Sequence, residues 1–580
     1  MKYNGFLKLN LILLICVFAL CRCTTKNGEY NIEILATNDV HGAFFSKEYT
    51  TDATKKNSLS KVAYYINEQK NKIGNNNLSI IDLGDNLQGD ICNYYSNFVD
   101  TSLGGANKHL LAQIYEYLGY DAIILGNHDI EAGHKVYDRL NKELSIPYLA
   151  ANVYDEKSGK NYFKEYTIIN KDDIKIAIIG FTNHYVTNWI DKSLYEGLSF
   201  KSAILVADSL VNAVKEQEKP DITILATHYG IGSNDENNNS ENLAIKLAES
   251  VKGIDVVFAA HDHRTYCNKV FNGSDSVLVI EAGSRASDLS QVNIKLLYQK
   301  GKLISKEISG EVIPLSDLPC DEEYDKNFNE YYKKVKQFAT TPIGNISKEI
   351  HTLEALFGYT DYINFINTIQ QQASDSDISI AAPLKTNSVI KAGPLTYFDL
   401  INIYPFENYL YKINLTGEQI KNYLEYSYAN WINTIDSPEK HLLKISYDNN
   451  SGKYRFSTPT FNYDAAKGIN YTVDVTKPEG SRVAISSMEN GEAFDLNKTY
   501  TVAISSYRAN GGGGHLKEGV GIEPNKISVV AQYPEIRGLI YEFFLKGNTI
   551  EFGLTPNWKF IPENTANQHI KRDKALISRR

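Results

Sequence analysis

Three things that this sequence lacks exclude whole classes of protein. Beyond residue 23 it has only Cys92, Cys267 and Cys320, so at most one disulfide bond can form and a disulfide framework is excluded. The net charge of −9 argues against a polynucleotide-binding surface, although a small anion held by metal remains compatible with it. After the N-terminus no segment is apolar enough to span a bilayer, so we predict no transmembrane helix.

The N-terminus has the features of an export signal. Lys2 and Lys8 form a basic region, and residues 9–20 are mostly apolar but too few to cross a membrane. We therefore predict a secretory signal peptide over residues 1–23. Cleavage either releases a free protein or leaves a lipid anchor on Cys21 or Cys23, which Thr24 follows. Both alternatives predict the periplasm or the outer cell surface of a bacterium.

The length of 580 residues predicts two large domains. Residues 28–315 alternate strand and helix patterns, which indicates an α/β layered domain with mixed sheets and flanking helices. Residues 316–344 contain a charged and aromatic stretch, 321–338, that predicts a linker helix. Residues 345–562 predict an α+β domain, and the polar tail 563–580 is expected to be disordered.

Five apolar runs of the first domain end in residues that can bind a metal ion. These runs are residues 32–36, 78–81, 122–125, 222–226 and 256–260, and each predicts a buried strand. In an open α/β sheet, ligands bind outside the carboxyl ends of the strands. We therefore expect one cluster of oxygen and imidazole ligands. The residues that follow the five runs are Asp39 and His41, Asp85, Asn127 and His128, His228, and His261 and His263.

The order of these residues resembles a known family. Asp39-x-His41, Gly84-Asp85, Gly126-Asn127-His128, His228 and His261-x-His263 resemble the calcineurin-like metallophosphoesterases, and more narrowly the 5′-nucleotidase superfamily. The resemblance extends over nearly the whole chain after the signal. It implies a metallophosphoesterase domain joined by a linker helix to a C-terminal, substrate-binding nucleotidase domain.

The resemblance implies two divalent metal ions, with Asp85 bridging them. Two such ions lower the pKa of bound water and clamp phosphoryl oxygens, so a metal-bound water or hydroxide is expected to attack phosphorus. Imidazole and carboxylate ligands favour Zn, Mn or Fe over Ca or Mg. The implied ligands are Asp39, His41, Asp85 and His263 for one ion, and Asp85, Asn127, His228 and His261 for the other.

His128 is implied to be a catalytic residue rather than a ligand. In the family the equivalent histidine stabilises the transition state or protonates the leaving oxygen, and an acidic residue three positions later orients it. Glu131 stands at that place. A histidine can act as a general acid near neutral pH.

The second domain contains the substrate motifs. Tyr404-Pro405-Phe406-Glu407-Asn408 resembles one loop of the family's base clamp, with Phe406 stacking on the base, and Tyr507 is its implied partner on a second loop. Two aromatic rings can hold a planar base with little base preference. The glycines after Tyr507 allow close approach of the backbone to a ligand. The predicted substrate contacts on the second loop are Tyr507, Asn510, Gly511 and Gly512.

Two departures separate this chain from the 5′-nucleotidase branch. Residues 381–387 contain no arginine where that branch has a phosphate-binding one, and Gly513 replaces an aspartate that binds ribose. Lys385, Lys391 and Arg508 remain open as phosphate contacts. The motifs are more similar to the 2′,3′-cyclic-nucleotide 2′-phosphodiesterase/3′-nucleotidase branch.

The resulting expectation is a secreted dimetal nucleotide phosphohydrolase that acts on 2′,3′-cyclic nucleotides and 3′-nucleotides. The alternative within the enzymes is a 5′-nucleotidase or UDP-sugar hydrolase. The alternative from another class is a nucleotide-binding surface receptor without turnover, which the intact ligand set and His128 argue against.

Overall fold

The computed structural model describes residues 25–100, 108–273, 275–448, 452–523 and 526–577. The predicted signal peptide, with Cys21 and Cys23, lies outside these residues. The predicted fold class is confirmed: an α/β layered domain is followed by a helix and then by an α+β domain. No helix in the described part of the chain combines the length and apolar character that crossing a membrane requires.

The first domain is built on two six-stranded mixed sheets that pack face to face. The first sheet has the order β14-β13-β1-β2-β3-β4, and the second has the order β11-β12-β10-β9-β7-β6, in the numbering below. Isoleucines from both sheets form the core between them, for example Ile34 and Ile178. The five predicted strands are confirmed as β1, β2, β3, β9 and β10. The strands are β1 Gly28–Thr37, β2 Leu78–Asp82, β3 Ala122–Ile124, β4 Tyr148–Leu149, β5 Val153–Asp155, β6 Tyr166–Lys171, β7 Ile174–Phe181, β8 Leu198–Phe200, β9 Ile222–Thr227, β10 Val256–Phe258, β11 Thr265–Asn272, β12 Asp275–Ala282, β13 Asp288–Gln299 and β14 Lys302–Pro314.

Helices cover the outer faces of this pair of sheets. Aliphatic residues of the second sheet, such as Ile179 and Leu225, pack against Ala207 and Leu247 of two of these helices. The helices of the first domain are α1 Leu59–Ile73, α2 Ile91–Tyr94, α3 Leu110–Leu118, α4 Asn127–Glu131, α5 His134–Glu143, α6 Ala203–Glu218 and α7 Ala244–Ser250. Short 3₁₀ or π turns of the chain are Asn75–Asn77, Tyr95–Val99, His184–Asn188, Lys192–Leu194, Thr352–Leu356, Thr460–Asn462, Gly512–Gly514 and His515–Val520.

A long helix, α8 (Glu322–Thr340), leads from the first domain to the second. Asp321 caps it, because its side chain accepts a hydrogen bond from the backbone N–H of Tyr324 at 2.8 Å. Tyr324, Phe328 and Tyr332 recur every four residues and are buried. The apolar face of α8 therefore packs on the first domain before the chain enters the second.

The second domain contains a five-stranded mixed sheet, of order β23-β17-β26-β20-β27, and a three-stranded sheet, of order β25-β24-β28. Its strands are β15 Pro342–Ile346, β16 Ile350–His351, β17 Ile378–Ala381, β18 Val389–Ile390, β19 Gly393–Thr396, β20 Tyr409–Thr416, β21 Ile445–Asp448, β22 Lys453–Phe456, β23 Ala465–Lys467, β24 Ile469–Asp474, β25 Val483–Met488, β26 Thr499–Ser505, β27 Val529–Glu535 and β28 Trp558–Ile561. Its helices are α9 Asp361–Ser374, α10 Tyr397–Ile403, α11 Gly417–Trp431, α12 Ser506–Ala509, α13 Ile536–Leu545 and α14 Glu563–Ile577.

One expectation about the C-terminus is wrong. The tail 563–580 is polar in sequence and was expected to be disordered, but residues 563–577 form α14. The carboxylate of Asp573 is buried, and its Oδ1 lies 2.7 Å from the Nδ1 of His441. Its Oδ2 accepts a hydrogen bond from the backbone N–H of Leu443 at 3.0 Å. A polar residue therefore anchors this helix, which is why hydrophobic periodicity did not reveal it.

Candidate active site

The seven predicted metal ligands all lie just beyond the carboxyl ends of strands. Asp39 and His41 follow β1, Asp85 follows β2, and Asn127 follows β3. The remaining ligands come from the second sheet, with His228 after β9 and His261 and His263 after β10. The two sheets therefore deliver their polar ends to one place, as the sequence pattern predicted.

Five of these residues adopt left-handed backbone conformations. Their φ angles are 47° for Asp39, 46° for His41, 61° for Asp85, 88° for His261 and 58° for His263. Each such conformation costs a non-glycine residue about 1–3 kcal/mol and persists only where its surroundings hold it. The tight turns after the strands thus force these side chains to converge. Gly126 permits this crowding, since a Cβ there would lie 2.1 Å from Oδ1 of Asp85.

The side chains form two adjoining groups. In the first, Nε2 of His263 lies 3.4 Å from Oδ1 of Asp39 and 3.2 Å from Nε2 of His41. In the second, Nε2 of His228 lies 3.1 Å from Oδ2 of Asp85 and 3.1 Å from Oδ1 of Asn127. Oδ2 of Asp85 is also 4.0 Å from Nε2 of His41. Asp85 therefore stands between the two groups.

The first group contains a buried carboxylate oxygen that a divalent cation would satisfy, since it has no hydrogen-bond donor in the described part of the chain. Oδ1 of Asp39 is buried and has no hydrogen-bond donor among the described residues. A buried carboxylate oxygen without a partner is costly unless a cation compensates it. The facing nitrogens of His41 and His263 likewise suit two ligands of one ion. Asp39, His41 and His263 form one candidate metal group, and Asp85, His228 and His261 form the other.

The electrostatics of this cluster favour positive charge at its centre. Burial opposes ionisation of Asp85, but the His228 and His128 rings hold the pKa of that carboxyl well below its usual value. Burial also lowers the pKa of His41 to about 4, so its ring is neutral, as a metal ligand must be. Burial disfavours the charged form of His228, yet the neighbouring Asp85 raises its pKa to about 9.

Outer contacts fix the orientation of the imidazole rings. Nδ1 of His41 lies 2.9 Å from the carbonyl oxygen of Gln88, and Nδ1 of His228 lies 2.7 Å from that of Leu83. His261 packs between the Trp189 ring, at a centroid distance of 5.3 Å, and the carboxylate of Glu241, whose Oε2 is 3.4 Å from Nε2. Such contacts select the ring nitrogen that faces a metal. No sequence motif had identified Trp189 or Glu241.

Asp129 organises the loops that carry the ligands. One of its carboxylate oxygens accepts hydrogen bonds from the backbone N–H groups of Asn86 and Leu87, at 2.8 and 3.0 Å. The other accepts from those of Asp85 and Gly126, at 3.1 and 2.8 Å. The loop after β2 is therefore tied to the loop after β3, and Asp129 has no atom left for a metal.

His128 points toward the cluster and is paired with Glu131. Its Nδ1 lies 2.6 Å from Oε2 of Glu131, and its backbone N–H donates to Oδ1 of Asp85 at 2.8 Å. Burial disfavours the charged ring, but Glu131 and Asp85 raise the pKa of His128 to about 10. The Glu131 carboxylate therefore favours the protonated form of this ring.

A cavity of about 350 Å³ connects this cluster to the second domain. Asn127, His128 and Glu131 line it from the first domain. Phe406 and Tyr507 line it from the second, so the two predicted aromatic residues and the predicted catalytic pair open into one space.

A third aromatic residue, Phe461, completes the aromatic wall. Its ring is almost perpendicular to those of Phe406 and Tyr507, at 84° and 88°, with centroid distances of 6.4 and 6.1 Å. Phe461 thus presents a ring edge beside both of the other rings. It lies in a short turn without a recognisable motif, so sequence patterns could not have identified it.

Arg508 supports this wall from behind. It is buried, and its guanidinium donates to Oδ2 of Asp464 at 2.8 Å and to the carbonyl oxygens of Phe461 and Gly512, at 2.6 and 3.0 Å. All of these contacts are within the second domain. The geometry therefore makes Arg508 a support of the aromatic loops rather than a free phosphate ligand.

The other predicted substrate contacts lie elsewhere. Asn510, Gly511 and Gly512 do not line the cavity. Asn510 instead lines a separate groove between the domains, together with Asp191 and Gln532. Gly512 lies behind Tyr507, because a Cβ there would be only 2.4 Å from Cε2 of the tyrosine ring. The glycine permits close approach of a protein ring, and its predicted contact with substrate is not supported by this placement.

The two remaining basic candidates are also outside the cavity lining. Nζ of Lys385 donates to Oδ1 of Asn402 at 2.9 Å, and Lys391 is exposed. Neither residue is among those that line the cavity.

Comparison with known families agrees with this arrangement. Residues 32–265 match the sequence model of the calcineurin-like phosphoesterases, and residues 342–518 match that of the 5′-nucleotidase C-terminal domain. The first match contains all seven candidate ligands and His128. The second contains the three aromatic residues of the cavity wall.

Relatives cover nearly the whole chain at low identity. A Haemophilus influenzae protein named 2′,3′-cyclic-nucleotide 2′-phosphodiesterase/3′-nucleotidase is 25% identical over 92% of this chain and 88% of its own length. The Bacillus subtilis trifunctional nucleotide phosphoesterase protein YfkN is 25% identical over 93% of this chain, which spans 39% of that relative. A Staphylococcus aureus protein solved in complex with α-ketoglutarate shares the fold, with a TM-score of 0.71 at 24% identity, covering 91% of this chain and 99% of that one.

Proposed function

We propose that this chain acts on 2′,3′-cyclic nucleotides and 3′-nucleotides. The premise is that it is a calcineurin-like phosphoesterase with a 5′-nucleotidase C-terminal domain, and so a metal-dependent phosphoric ester hydrolase. The observation that carries the proposal is the shared cavity. Candidate metal ligands and a His–Glu pair lie at its first-domain side, and three aromatic rings lie at its second-domain side. A nucleotide has a phosphate and a planar base, which match these two sides.

The residues of the first domain bind and position the phosphate. Asp39, His41, Asp85 and His263 would hold one divalent ion, and Asp85, Asn127, His228 and His261 would hold the other. When bound, the two ions lower the pKa of water and withdraw charge from the phosphoryl oxygens. Zn, Mn or Fe suits this mixture of imidazole and oxygen ligands.

His128 supplies a proton at the nucleoside oxygen. Glu131 bonds to Nδ1, which leaves Nε2 to donate toward the leaving oxygen. In its protonated form the ring can also stabilise the negative charge that develops on that oxygen. Glu131 thus acts by orienting and charging His128.

The second domain binds the nucleoside. Base stacking on an aromatic ring is worth about 1–3 kcal/mol per base. In this proposal Phe406 and Tyr507 stack on the base, and Phe461 closes the side of the space between them. This binding is remote from phosphorus, so its energy serves to position the phosphate between the ligand cluster and His128.

Support for cyclic and 3′ substrates comes from the cavity wall. Ala381, Ala382 and Leu384 line it at the place where the 5′-nucleotidase branch has a phosphate-binding arginine. Among the described residues, no arginine other than Arg508 lines the cavity. The relative from H. influenzae carries the corresponding name. The alternative, a 5′-nucleotidase or UDP-sugar hydrolase, keeps the same metal chemistry but acts on phosphate attached through the 5′ oxygen of the ribose, so the base lies differently relative to the phosphate.

One experiment separates these activities. Purified protein, reconstituted with Mn or Zn, is offered 2′,3′-cAMP, 3′-AMP, 5′-AMP and UDP-glucose in parallel, and the products are separated and measured. The proposal expects turnover of the first two. Preference for 5′-AMP or UDP-glucose supports the alternative, and binding without turnover of any substrate supports a receptor.

We also propose that the protein acts outside the cytoplasm. The basic and apolar residues at the start of the sequence support export, with cleavage in residues 21–23. Mass measurement of the N-terminal peptide, isolated from membrane and soluble fractions, distinguishes a free terminus from a lipidated Cys21 or Cys23.

A further inference from the structure

A buried glutamine faces the same cavity as the aromatic rings. Gln370 lies on α9 and is 1% exposed, yet it is among the residues that line the cavity. Its side-chain oxygen is placed 3.1 Å from Oγ of Ser379. The other amide atom, Nε2, has no hydrogen-bonding partner within the described part of the chain. One end of this amide is therefore directed at the cavity without a protein partner.

The hydrogen-bond network around Ser379 decides which amide atom faces the cavity. Oγ of Ser379 lies 2.8 Å from Oδ1 of Asn367 and 3.1 Å from Oε1 of Gln370. The hydroxyl has one hydrogen and can donate only once. The amide of Asn367 cannot turn over, since its Nδ2 donates to the carbonyl oxygen of Ala465 at 3.2 Å. The Ser379 hydrogen therefore belongs to Oδ1 of Asn367.

This assignment of the Ser379 hydrogen determines the orientation of the Gln370 side-chain amide. Because Ser379 donates its hydrogen to Asn367, Oε1 of Gln370 beside Oγ of Ser379 would bring two acceptors together with no hydrogen between them. Turning the amide by 180° places Nε2 beside Oγ as a donor and satisfies all three side chains. The two ends of an amide have almost the same size and shape, so their orientation is assigned from such hydrogen-bond networks. The turned amide presents its carbonyl oxygen to the cavity.

The same network connects Gln370 to the aromatic wall. Ala465, which accepts from Asn367, follows Asp464 in the chain, and Asp464 holds Arg508 beside Tyr507. Asp464 also lines the cavity, but Arg508 and Tyr423 already bond to its carboxylate oxygens. Asp464 is therefore committed to the protein, whereas the end of the Gln370 amide that faces the cavity is not.

We infer that the side-chain oxygen of Gln370 accepts a hydrogen bond from the exocyclic amino group of a base held by the aromatic rings, so that the enzyme prefers adenine and cytosine. The inference rests on the proposed function, because it requires a nucleotide in the cavity. Adenine and cytosine carry an amino donor where hypoxanthine and uracil carry a carbonyl acceptor. Stacking alone does not discriminate among bases, whereas a buried acceptor left unpaired by the wrong base does.

The test compares substrates that differ at one group of the base. The kcat/KM values of wild-type protein are measured for 3′-AMP against 3′-IMP and for 3′-CMP against 3′-UMP, or for the corresponding 2′,3′-cyclic pairs. We expect the amino base to be favoured roughly tenfold in each pair. Equal values within both pairs, or preference for the carbonyl base, overturn the inference without any variant being needed.

Variants then locate the preference. Gln370→Met has similar length but no amide, and we expect it to bring both ratios close to one while hydrolysis of bis-p-nitrophenyl phosphate, which has no base, stays unchanged. Gln372→Met is the matched control, because Gln372 is an exposed glutamine of the same helix and should leave the ratios as in wild type. If Gln370→Met folds and keeps the wild-type ratios, Gln370 does not read the base.

Failure of the proposed function has a different result. In that case wild-type protein hydrolyses bis-p-nitrophenyl phosphate with added metal but none of the nucleotides. If only the inference about Gln370 fails, the nucleotides are hydrolysed but the bases with an amino group are not favoured. If Gln370→Met is unstable, Ser379→Ala tests the same network, since it frees the amide to turn and should reduce the preference.

Discussion

In the first domain, each candidate metal ligand follows the end of a strand, and the turn that carries it is confined to a few residues. In the second domain, the cavity wall comes from five separate segments, around Gln370, Ala381, Phe406, Phe461 and Tyr507. A buried Arg508–Asp464 pair and a network centred on Ser379 hold this wall together. The metal-ligand side in the first domain depends on local backbone geometry and charge. The cavity wall in the second domain depends on long-range packing. Changes on the two sides should therefore affect different kinetic parameters.

The largest effect should come from removing the charge between the two ligand groups. We expect Asp85→Asn to reduce turnover on the order of 10⁴-fold or more and to lose one metal ion, because it removes the charge of a carboxylate that lies within 4.0 Å of a ring nitrogen in each group. Elemental analysis and hydrolysis of bis-p-nitrophenyl phosphate measure both effects. Asp208→Asn, on the exposed face of α6, is the control. Two retained ions with near-normal turnover would show that the ions do not share Asp85.

The second effect separates chemistry from metal binding within the first domain. His128→Ala should keep the metal content but lower kcat by roughly 10²–10⁴-fold for a nucleoside leaving group, the usual contribution of a positioned acid or base. If His128 acts as an acid, the loss should be smaller for p-nitrophenolate, which needs little protonation. Equal losses on both substrates would indicate stabilisation of charge instead.

A second histidine provides the control for this measurement. His134 has its own carboxylate partner, with Nδ1 2.9 Å from Oδ2 of Asp138, but it does not line the cavity. His134→Ala should leave kcat unchanged for both leaving groups. Wild-type kcat of His128→Ala on a nucleotide would refute the catalytic role.

The third effect belongs to the second domain alone. Tyr507→Ala should lower kcat/KM for 2′,3′-cAMP by roughly 5- to 150-fold, from about 1–3 kcal/mol of stacking. Bis-p-nitrophenyl phosphate should be hydrolysed almost unchanged, because it has no base to stack. Tyr447→Ala, an exposed tyrosine of β21, is the control. Equal damage to both substrates would mean that Tyr507 serves packing, and the contrast between the domains would be lost.

The smallest effect should come from the boundary between the domains. Nε2 of Gln532 donates to Oδ2 of Asp191 at 2.9 Å and to the hydroxyl of Tyr411 at 2.7 Å. Gln532→Ala should lower kcat/KM for nucleotides by about 2- to 10-fold, the worth of one hydrogen bond that holds the domains together. Tyr411→Phe removes only the contact within the second domain and should have no such effect. A loss on bis-p-nitrophenyl phosphate as large as on nucleotides would contradict this.

The contrast between the domains also explains what the sequence could predict. Strand patterns followed by Asp, Asn or His located the candidate ligands, because a strand end and its turn are local. Phe461, Gln370 and Glu241 could not be found in this way, since each takes its place from partners far away in the chain. Asn510 was misplaced for the related reason that nearness to Tyr507 in sequence does not mean nearness to the cavity.

Capping made a similar difference at the ends of helices. Helix α9 begins at Asp361, because the side chain of Thr360 accepts a hydrogen bond from the backbone N–H of Ile363 at 3.3 Å, a contact that an apolar pattern does not reveal. Helix α8, in contrast, was predicted closely, since its aromatic residues recur at helical spacing and its cap is the residue before it.

The division of the candidate ligands between two sheets has a consequence for the durability of the protein. Asp39, His41, Asp85 and Asn127 belong to the first sheet, whereas His228, His261 and His263 belong to the second. Ions bound by both sets of ligands would link the two sheets of the first domain. By mass action, any ligand that binds the folded state in preference to the unfolded state shifts unfolding to higher temperature. The supply of such ions would then govern how long the first domain survives, as well as whether it turns over substrate.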